Sequence, residues 1–407
     1  MNRKSWLILL VAYGCGVLAT FAQFSVPPIL PSLRVQFGMS YTQSGMLMSL
    51  FAIATLFFAT PCGFIIHRYG VRRVGLLGFI LMMLGLGVCF LAGSFGVFLA
   101  GRAIQGVGFG LVAVSAPTAI GQFLPREMMP MAMGLWSTWI PVGNLIIFFT
   151  APRVLQATSV AVYWAILIAS MVPGLVAFAW AIPNPPKATQ AGPVLPSRQV
   201  LKDELANGDV WAASITFAAF TFGMFSLTTW SSTYLHEVMG LSLVLAASGT
   251  IIYGITSIFS DLYGGVLLKR FGHSRWMFIL PPAFLILLWP LYTIPSVTVF
   301  CIVIGVYSLI GGVIPPIIFA SAPMLARRPE GVGMATAIII IGENMGLLVG
   351  PQVFGILRDW TGSYRASFWL MMLGPLVQVF SLHRIWATGV FAGARRPAPA
   401  LLEAGEA

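Results

Sequence analysis

Charge-free apolar segments, each long enough to cross a lipid bilayer, recur along the whole sequence. A bilayer-spanning helix needs about 20 apolar residues, and twelve such runs extend from the one near Trp6–Leu30 to the one near Ser367–Trp386. Hydrophobic residues make up 58% of the chain and charged residues only 8%, whereas soluble domains carry about 25% charged residues. We therefore predict an all-α integral membrane protein with twelve transmembrane helices.

A short basic loop occurs twice between these runs. The first copy extends from Gly63 to Arg73 and the second from Gly265 to Arg275. Both copies read Gly, three residues, a basic residue, Arg, an aromatic residue, Gly, two residues and Arg. A repeat at this scale indicates two related halves, and loops on the same side of the membrane indicate parallel repeats.

The repeat predicts two pseudo-symmetric six-helix bundles separated by a change in composition. We assign residues 1–182 to an N-terminal bundle, 210–388 to a C-terminal bundle and 389–407 to a tail. Residues 183–209 are rich in proline and polar side chains, which is typical of a linker.

The Lys and Arg residues predict the orientation. Most of the 22 fall on one side of the membrane, and only Arg34, Arg153, Arg358 and Arg365 fall on the other, with Arg102 inside a helix. Cytoplasmic loops are enriched in Lys and Arg, so we expect both termini in the cytoplasm and the protein in the plasma membrane. The net charge of +11 does not indicate a nucleic-acid partner, because the basic residues are spread over short loops between apolar runs.

The loops and the fourth helix resemble the major facilitator superfamily of secondary transporters. Gly63 to Arg73 is similar to its signature Gly-x-x-x-Asp-Arg-x-Gly-Arg-Arg, with His67 at the acid's position, and Arg102-Ala-Ile-Gln105-Gly106-Val-Gly108 is similar to its helix-four pattern Arg-x-x-Gln-Gly-x-Gly. The resemblance covers the chain from helix one to helix twelve and implies alternating access, with the basic loops as gates. The expected gating residues are Gly63, Arg68, Gly70, Arg72, Arg73, Asp261, Arg270 and Gly272.

Two charged residues inside predicted helices are candidates for mechanism, because a charge within a span is costly and is functional by default. Arg102 either donates to backbone carbonyls and Gln105 as a structural residue, or lies in the cavity and attracts an anion. Glu343 lies near mid-membrane, where desolvation favours the protonated carboxyl. It is either a proton-coupling site or a packing residue bonded to Asn344.

Other polar and aromatic residues in the spans are weaker candidates for contact with a substrate. Helices one, four, seven and ten face the central cavity, as the resemblance implies. Pro141 and Gly143 are all that remains in helix five of the family's exporter pattern Gly-Pro-x-x-Gly-Gly, which argues against an exporter. The further substrate candidates are Gln23, Trp136, Trp139, Asn144, Trp230 and Asn344.

The leading hypothesis is a transporter that moves a small organic or inorganic anion together with protons. The alternatives are proton-driven efflux of amphiphilic, drug-like compounds, and a membrane receptor that transports nothing. We expect a monomer without enzymatic activity, cofactor or metal site. The sequence has no phosphate-binding loop of the Gly-x-x-x-x-Gly-Lys-Ser/Thr type, so the energy should come from an ion or substrate gradient.

Overall fold

The protein folds into two bundles of six membrane-spanning segments each. The computed structural model describes residues 3–183, 198–271 and 274–390. Within this part of the chain, twelve helical segments are long and apolar enough to cross a membrane. The prediction of an all-α membrane fold is therefore confirmed. Most of the predicted tail, from residue 391 onwards, lies outside the described residues.

The first bundle, called the N half, contains eight helices because its first and fifth spans are interrupted. The helices are α1 (Arg3–Gln23), α2 (Leu30–Phe37), α3 (Tyr41–Tyr69), α4 (Val71–Phe90), α5 (Phe95–Phe123), α6 (Met129–Ser137), α7 (Trp139–Ala157) and α8 (Val160–Ala181).

A short helix and the second bundle, called the C half, follow. The helices are α9 (Arg198–Leu205), α10 (Gly208–Glu237), α11 (Leu243–Phe271), α12 (Arg275–Leu288), α13 (Val297–Gly311), α14 (Ile314–Leu325), α15 (Val332–Thr361), α16 (Tyr364–Met371) and α17 (Leu373–Ala387). A 3₁₀ turn at Trp289–Thr293 completes the ninth span.

The first span differs from the continuous helix that its hydropathy predicts. α1 ends at Gln23, and a 3₁₀ turn at Pro27–Ile29 precedes α2. Proline lacks the N–H that a helix requires and disfavours helical geometry in the residue before it. Pro27 and Pro28 therefore interrupt the span, and the last carbonyl groups of α1 need other donors.

Glycines allow the helices of the N half to approach closely. A Cβ atom at Gly85 of α4 would lie 2.7 Å from the carbonyl oxygen of Gly101 in α5, and one at Gly108 would lie 2.5 Å from the carbonyl oxygen of Gly78. Gly106 packs in the same way on the backbone of Phe51 in α3. The glycines after Arg102 thus serve helix packing, as small residues do in membrane bundles.

The two halves contact each other through α3 with α15 and α7 with α11. Two names distinguish the ends of the molecule: the arginine-poor end carries Arg34, Arg153, Arg358 and Arg365, and the arginine-rich end carries the two basic loops. Close contact occurs at Gly45, where a Cβ atom would lie 2.7 Å from the carbonyl oxygen of Pro351. Ser49 of α3 donates a hydrogen bond of 2.5 Å to the carbonyl of Leu348 in α15.

The predicted linker contains α9, which docks on the C half. The carboxylate of Glu204, buried at 0% exposure, accepts a bond of 2.7 Å from the backbone N–H of Arg327. The Asn207 side chain donates to the carbonyl of Leu325 at 2.8 Å. The final turn of α9 is thereby attached to the loop between α14 and α15.

Candidate functional site

Arg102 of α5 lies at the break of the first span. Its guanidinium donates to the carbonyl oxygens of Ala22 and Gln23 at 2.7 and 3.1 Å, and to the Ser25 hydroxyl at 3.1 Å. Because α1 ends there, these carbonyls have no helical partner and carry the negative end of the helix dipole. Arg102 therefore acts as a cationic cap on α1.

The remaining donors of Arg102 are directed at neutral groups as well. Nε donates to the carbonyl of Leu47 at 3.2 Å and Nη1 donates to Gln105 Oε1 at 2.6 Å. The guanidinium carbon also lies 4.5 Å from the centre of the Phe51 ring. Arg102 is 0% exposed. In this conformation it links helices of the N half, and only the dipoles of neutral groups offset its charge.

Two amide side chains near this point are buried without full partners among the described residues. Gln23 and Asn144 are each 2% exposed, and Gln23 Oε1 and both polar atoms of Asn144 have no protein hydrogen-bond partner. Their helices touch, because Gly143 of α7 lies against Thr20 of α1. A buried polar atom without a partner costs about 1–3 kcal/mol, so both amides are suited to bind a polar ligand.

Asn144 also lies at the boundary between the halves. Its Oδ1 is 3.4 Å from the position that a Cβ atom of Gly254 in α11 would occupy. A ligand bound to this amide would therefore be next to both halves, which is where a substrate site of an alternating-access transporter is expected.

The tryptophans of the fifth span belong to a continuous aromatic stack. Trp136 and Trp139 have ring centroids 4.9 Å apart, Trp139 stacks on Phe109 at 5.7 Å, and Phe109 contacts Phe51 at 5.3 Å. The two tryptophans cover Gly16 of α1, where a Cβ atom would lie 2.8 Å from Trp136. Both are 8% exposed, so the stack mainly packs the N half.

Glu343 and Asn344 lie on α15 on the arginine-rich side of the contact between Ser49 and Leu348. The carboxyl of Glu343 forms no ion pair with a described residue, and its backbone carbonyl accepts a bond of 2.9 Å from Thr221. Asn344 donates to the carbonyl of Ile340 within the same helix at 3.0 Å. Glu343 is partly exposed.

Trp230 occupies a different place from the other candidates. Its indole N–H donates to the carbonyl of Pro351 at 3.0 Å, its ring stacks on Phe354 at 5.6 Å, and Tyr41 lies 5.8 Å away. It is 1% exposed. Trp230 therefore stabilises the contact between the halves at the arginine-poor end.

A carboxylate that sequence reasoning missed connects the halves at this end. Glu237, the last residue of α10, pairs with Arg34 of the N half and accepts bonds from the hydroxyls of Tyr41 and Tyr364 at 2.6 and 2.7 Å. We call these four residues the Glu237 cluster. Glu237 and Arg34 lie at the ends of spans, and the hydropathy of the sequence does not indicate that they form an ion pair.

Asp359 adds a second connection between the halves. Its carboxylate accepts bonds from the backbone N–H groups of Tyr41 and Thr42 at 3.1 and 2.7 Å. These are the first N–H groups of α3, and an anion stabilises the N-terminus of a helix. Asp359 of the C half thus caps a helix of the N half.

The predicted gating residues lie at the arginine-rich end. Gly70 separates α3 from α4 with a φ of 85°, a conformation that only glycine adopts freely. Arg72 and Arg73 lie in the first turn of α4, where positive charge opposes the helix dipole. Asp261 of α11 forms no ion pair with a described basic residue.

The other predicted gating residues make local contacts or none. Gly63 has open space around its Cα hydrogens. Arg68 and Arg270 each lie over the ring of the next residue, at 5.4 and 5.6 Å. Gly272 lies outside the described residues. The gating role of these residues stays a prediction.

Comparison with known proteins decides the family. The family model described as Major Facilitator Superfamily matches residues 12–278. The chain belongs to the major facilitator superfamily. It is therefore a membrane transporter for small molecules, and the predicted membership of this superfamily is confirmed.

Individual superfamily members resemble this chain over different lengths. It is 26% identical to protein spinster homolog 3 of Danio rerio over 58% of the chain but only 49% of that relative. It is 23% identical to a probable sulfoacetate transporter of Cupriavidus necator, over 90% of the chain and 89% of the relative. It is 22% identical to a probable nitrate transporter of Staphylococcus epidermidis, over 94% and 97%.

A solved structure confirms the arrangement of the helices. The crystal structure of a bacterial homolog to the human lysosomal transporter Spinster, in an inward-facing and unoccupied conformation, matches with a TM-score of 0.79 at 14% identity. The match covers 98% of this chain and 100% of that one. At this identity the likeness concerns the fold alone.

Proposed function

We propose that this transporter carries a small organic or inorganic anion across the membrane together with protons. The observation that carries the proposal is the charge of Arg102. It is fully buried, and its hydrogen-bond acceptors are carbonyl, hydroxyl, amide and thioether groups. The end of α1 offers only about half of a negative charge, so positive potential remains in the N half and favours an anionic ligand.

The position of the anion follows from the buried amides. Arg102 has no free donor in this conformation, so it acts on the substrate through its field and not by contact. The amides of Gln23 and Asn144 supply polar atoms that still lack partners. Two of the relatives are a probable sulfoacetate transporter and a probable nitrate transporter, and both names denote small anions.

Glu343 is the proposed proton carrier. It lies 11 residues from the first residue of α15, or about 16 Å along the helix. Its carboxyl has no ion-pair partner among the described residues, and a proton on Glu343 would compensate part of the charge of an entering anion. Coupling requires that proton and anion favour the same change of conformation.

In the proposed transport cycle, one end of the molecule closes while the other opens. In the present conformation, the Glu237 cluster, Asp359 and Trp230 tie the halves at the arginine-poor end. We take the arginine-rich end as cytoplasmic, in the plasma membrane, because cytoplasmic loops are enriched in basic residues. Opening the arginine-poor end would then expose the buried amides to the outside, while the basic loops close the other end.

A second function is favoured by one feature, the aromatic stack of Trp136, Trp139, Phe109 and Phe51. An apolar, aromatic surface suits amphiphilic compounds and would support efflux. Because both tryptophans are 8% exposed and cover Gly16, the stack offers little free surface. Trp139→Ala would abolish transport by an exporter of this type. In an anion carrier, the same substitution would leave the selectivity among ions unchanged.

Two substitutions at Arg102 test the anion proposal in proteoliposomes with sulfoacetate and nitrate as probes. Arg102→Lys keeps the charge and loses hydrogen bonds, whereas Arg102→Met keeps the length and loses the charge. We expect the lysine variant to retain part of the uptake and the methionine variant to lose at least about tenfold, the effect of 1.4 kcal/mol. A folded methionine variant with wild-type uptake would contradict the proposal.

Glu343→Gln tests the proton role separately. The variant keeps the shape of the side chain and cannot exchange a proton. We expect it to lose uptake driven by a pH gradient and to retain exchange of internal for external anion, which needs no net proton movement. Glu127→Gln is the matched control, because Glu127 is exposed in the loop after α5. If uptake by Glu343→Gln still depends on the pH gradient, Glu343 is not the proton carrier.

A further inference from the structure

The C half contains a cluster of polar aromatic side chains that has no part in the proposed transport. Trp289 and Tyr292 come from the 3₁₀ turn after α12, and Tyr307 comes from α13. The Trp289 ring lies 5.4 Å from each of the two tyrosine rings. Gly223 of α10 completes the cluster. We call these four residues the indole–tyrosine cluster.

The polar atoms of this cluster have no protein partner. Trp289 and Tyr292 are 0% exposed and Tyr307 is 1% exposed. The indole Nε1 and both tyrosine hydroxyls make no hydrogen bond with a described residue. Almost all buried polar groups are hydrogen-bonded, so three of them together in one place indicate a site for a ligand.

Gly223 limits the size of that ligand. A Cβ atom at Gly223 would lie 2.7 Å from the Tyr307 hydroxyl and 2.9 Å from Cζ2 of Trp289. The glycine thus allows the hydroxyl and the indole to approach the backbone of α10. Three large rings packed this closely leave room for a few heavy atoms at most and exclude a drug-sized molecule.

The chemistry of the cluster selects an acceptor. The indole N–H can only donate, and a tyrosine hydroxyl can rotate to point its proton at the same place. Because the indole cannot accept, a ligand that contacts all three polar groups must itself offer an acceptor.

We infer that the indole–tyrosine cluster binds one small, weakly hydrated monovalent anion, such as nitrate or chloride. Burial of an ion is costly, and an anion that holds its water weakly loses least on entering. The site lies inside the C half, between α10, α13 and the end of α12, and is distinct from Arg102 and the buried amides. It stands independently of the proposed transport, because anion binding here requires no passage through the membrane.

The test measures the midpoint temperature of unfolding of the purified protein in detergent. Sodium nitrate and sodium chloride are titrated against sodium gluconate at constant ionic strength, because gluconate is too large for the site. Binding to the folded state raises the midpoint in proportion to occupancy. We expect a saturable rise with nitrate or chloride and none with gluconate.

Variants assign the rise to the cluster. Tyr307→Phe and Tyr292→Phe remove only a hydroxyl, and each should weaken the apparent anion affinity about tenfold or more, since a hydrogen bond to a charged group is lost. Tyr234→Phe is the matched control, because the Tyr234 hydroxyl already donates to the carbonyl of Tyr292 at 3.1 Å. Asn144→Leu removes one buried amide proposed for the transported anion, so the part of the rise that remains in this variant and is lost in Tyr307→Phe belongs to the cluster.

Two results would overturn the inference. One is the absence of any anion-specific rise in the wild type, which would mean that water satisfies the three groups. The other is an unchanged anion affinity in both phenylalanine variants. If those variants do not fold, Gly223→Ala, whose methyl group would displace the Tyr307 hydroxyl and the Trp289 ring, must weaken anion binding. Uptake in proteoliposomes is a separate measurement, so failure of the transport proposal would leave this result interpretable.

Discussion

Replacing Glu237 by glutamine should release the closure at the arginine-poor end. The substitution keeps the size of the side chain and removes its charge. In the present conformation, the Glu237 carboxylate pairs with Arg34 and accepts the hydroxyls of Tyr41 and Tyr364. Only Arg34 and Tyr41 belong to the N half, so only these two contacts are broken when the halves separate.

The size of the effect follows from those two contacts. A hydrogen bond to a charged group contributes about 1 kcal/mol more than one to a neutral group, so the Tyr41 contact weakens by about that amount. The side chains of Arg34 and Glu237 are 16% and 25% exposed, and an ion pair so close to solvent contributes about 0–1 kcal/mol. The closed state should therefore lose about 1–2 kcal/mol, or about 5- to 30-fold in population.

The assay measures how often the closed end opens. Ser49 of α3 is 6% exposed and donates to the carbonyl of Leu348 in the C half, and Ser49→Cys places a nearly isosteric thiol in this contact. In a background without the four native cysteines, the rate of labelling by a hydrophilic maleimide reports the open fraction. Glu237→Gln should raise this rate by about 5- to 30-fold.

Two controls make the result decisive. Thr158 is exposed at the end of α7, so Thr158→Cys should be labelled at an unchanged rate. Asp203→Asn breaks the ion pair with Arg328, which is 3.3 Å long and lies within the C half at the other end, and should also leave the rate unchanged. A labelling rate in Glu237→Gln within twofold of the wild type would refute the reasoning.

Two further predictions concern packing. Gly143→Ala should prevent α7 from packing on α1 and lower the unfolding temperature, because the Thr20 hydroxyl lies where the new methyl group would be. Gly14→Ala is the control: no atom lies within 4 Å of its new methyl group, so its unfolding temperature should hardly change. Maleimide should not label three thiols of the native protein before it unfolds, because each is buried and donates to a backbone carbonyl. Rapid labelling of the native protein would contradict the packing of the N half. These thiols are Cys15, Cys62 and Cys89.

The sequence was sufficient for the number of spans and the duplication, since both depend on hydropathy and on local residue order. It did not predict that the first span breaks after Gln23, because an average over about 20 residues does not register the effect of Pro27 and Pro28. The structural alternative for Arg102, as a donor to carbonyls and Gln105, describes its contacts in this conformation. Whether its charge also serves transport stays a prediction.

The closure contacts could not be predicted from the sequence. Glu237 and Arg34 are 203 positions apart, and their pairing depends on how the two halves meet. Trp230 was a candidate for substrate contact because helix seven faces the cavity, as the resemblance implies; in this conformation its indole donates to the carbonyl of Pro351, and a contact with substrate stays a prediction. In the sequence, nothing distinguishes Trp289, Tyr292 and Tyr307 from other residues of an apolar span. Only the structure shows that their polar atoms are buried without hydrogen-bond partners.

Simultaneous measurement of anion and proton movement tests the central claim most directly. Proteoliposomes contain a pH-sensitive dye, have equal pH on both sides, and receive sulfoacetate or nitrate outside. Transport of an anion together with protons predicts that the interior acidifies as the anion enters, and that Glu343→Gln abolishes the acidification. Anion entry without acidification, or no entry of either anion while a lipophilic cation crosses, would contradict the account.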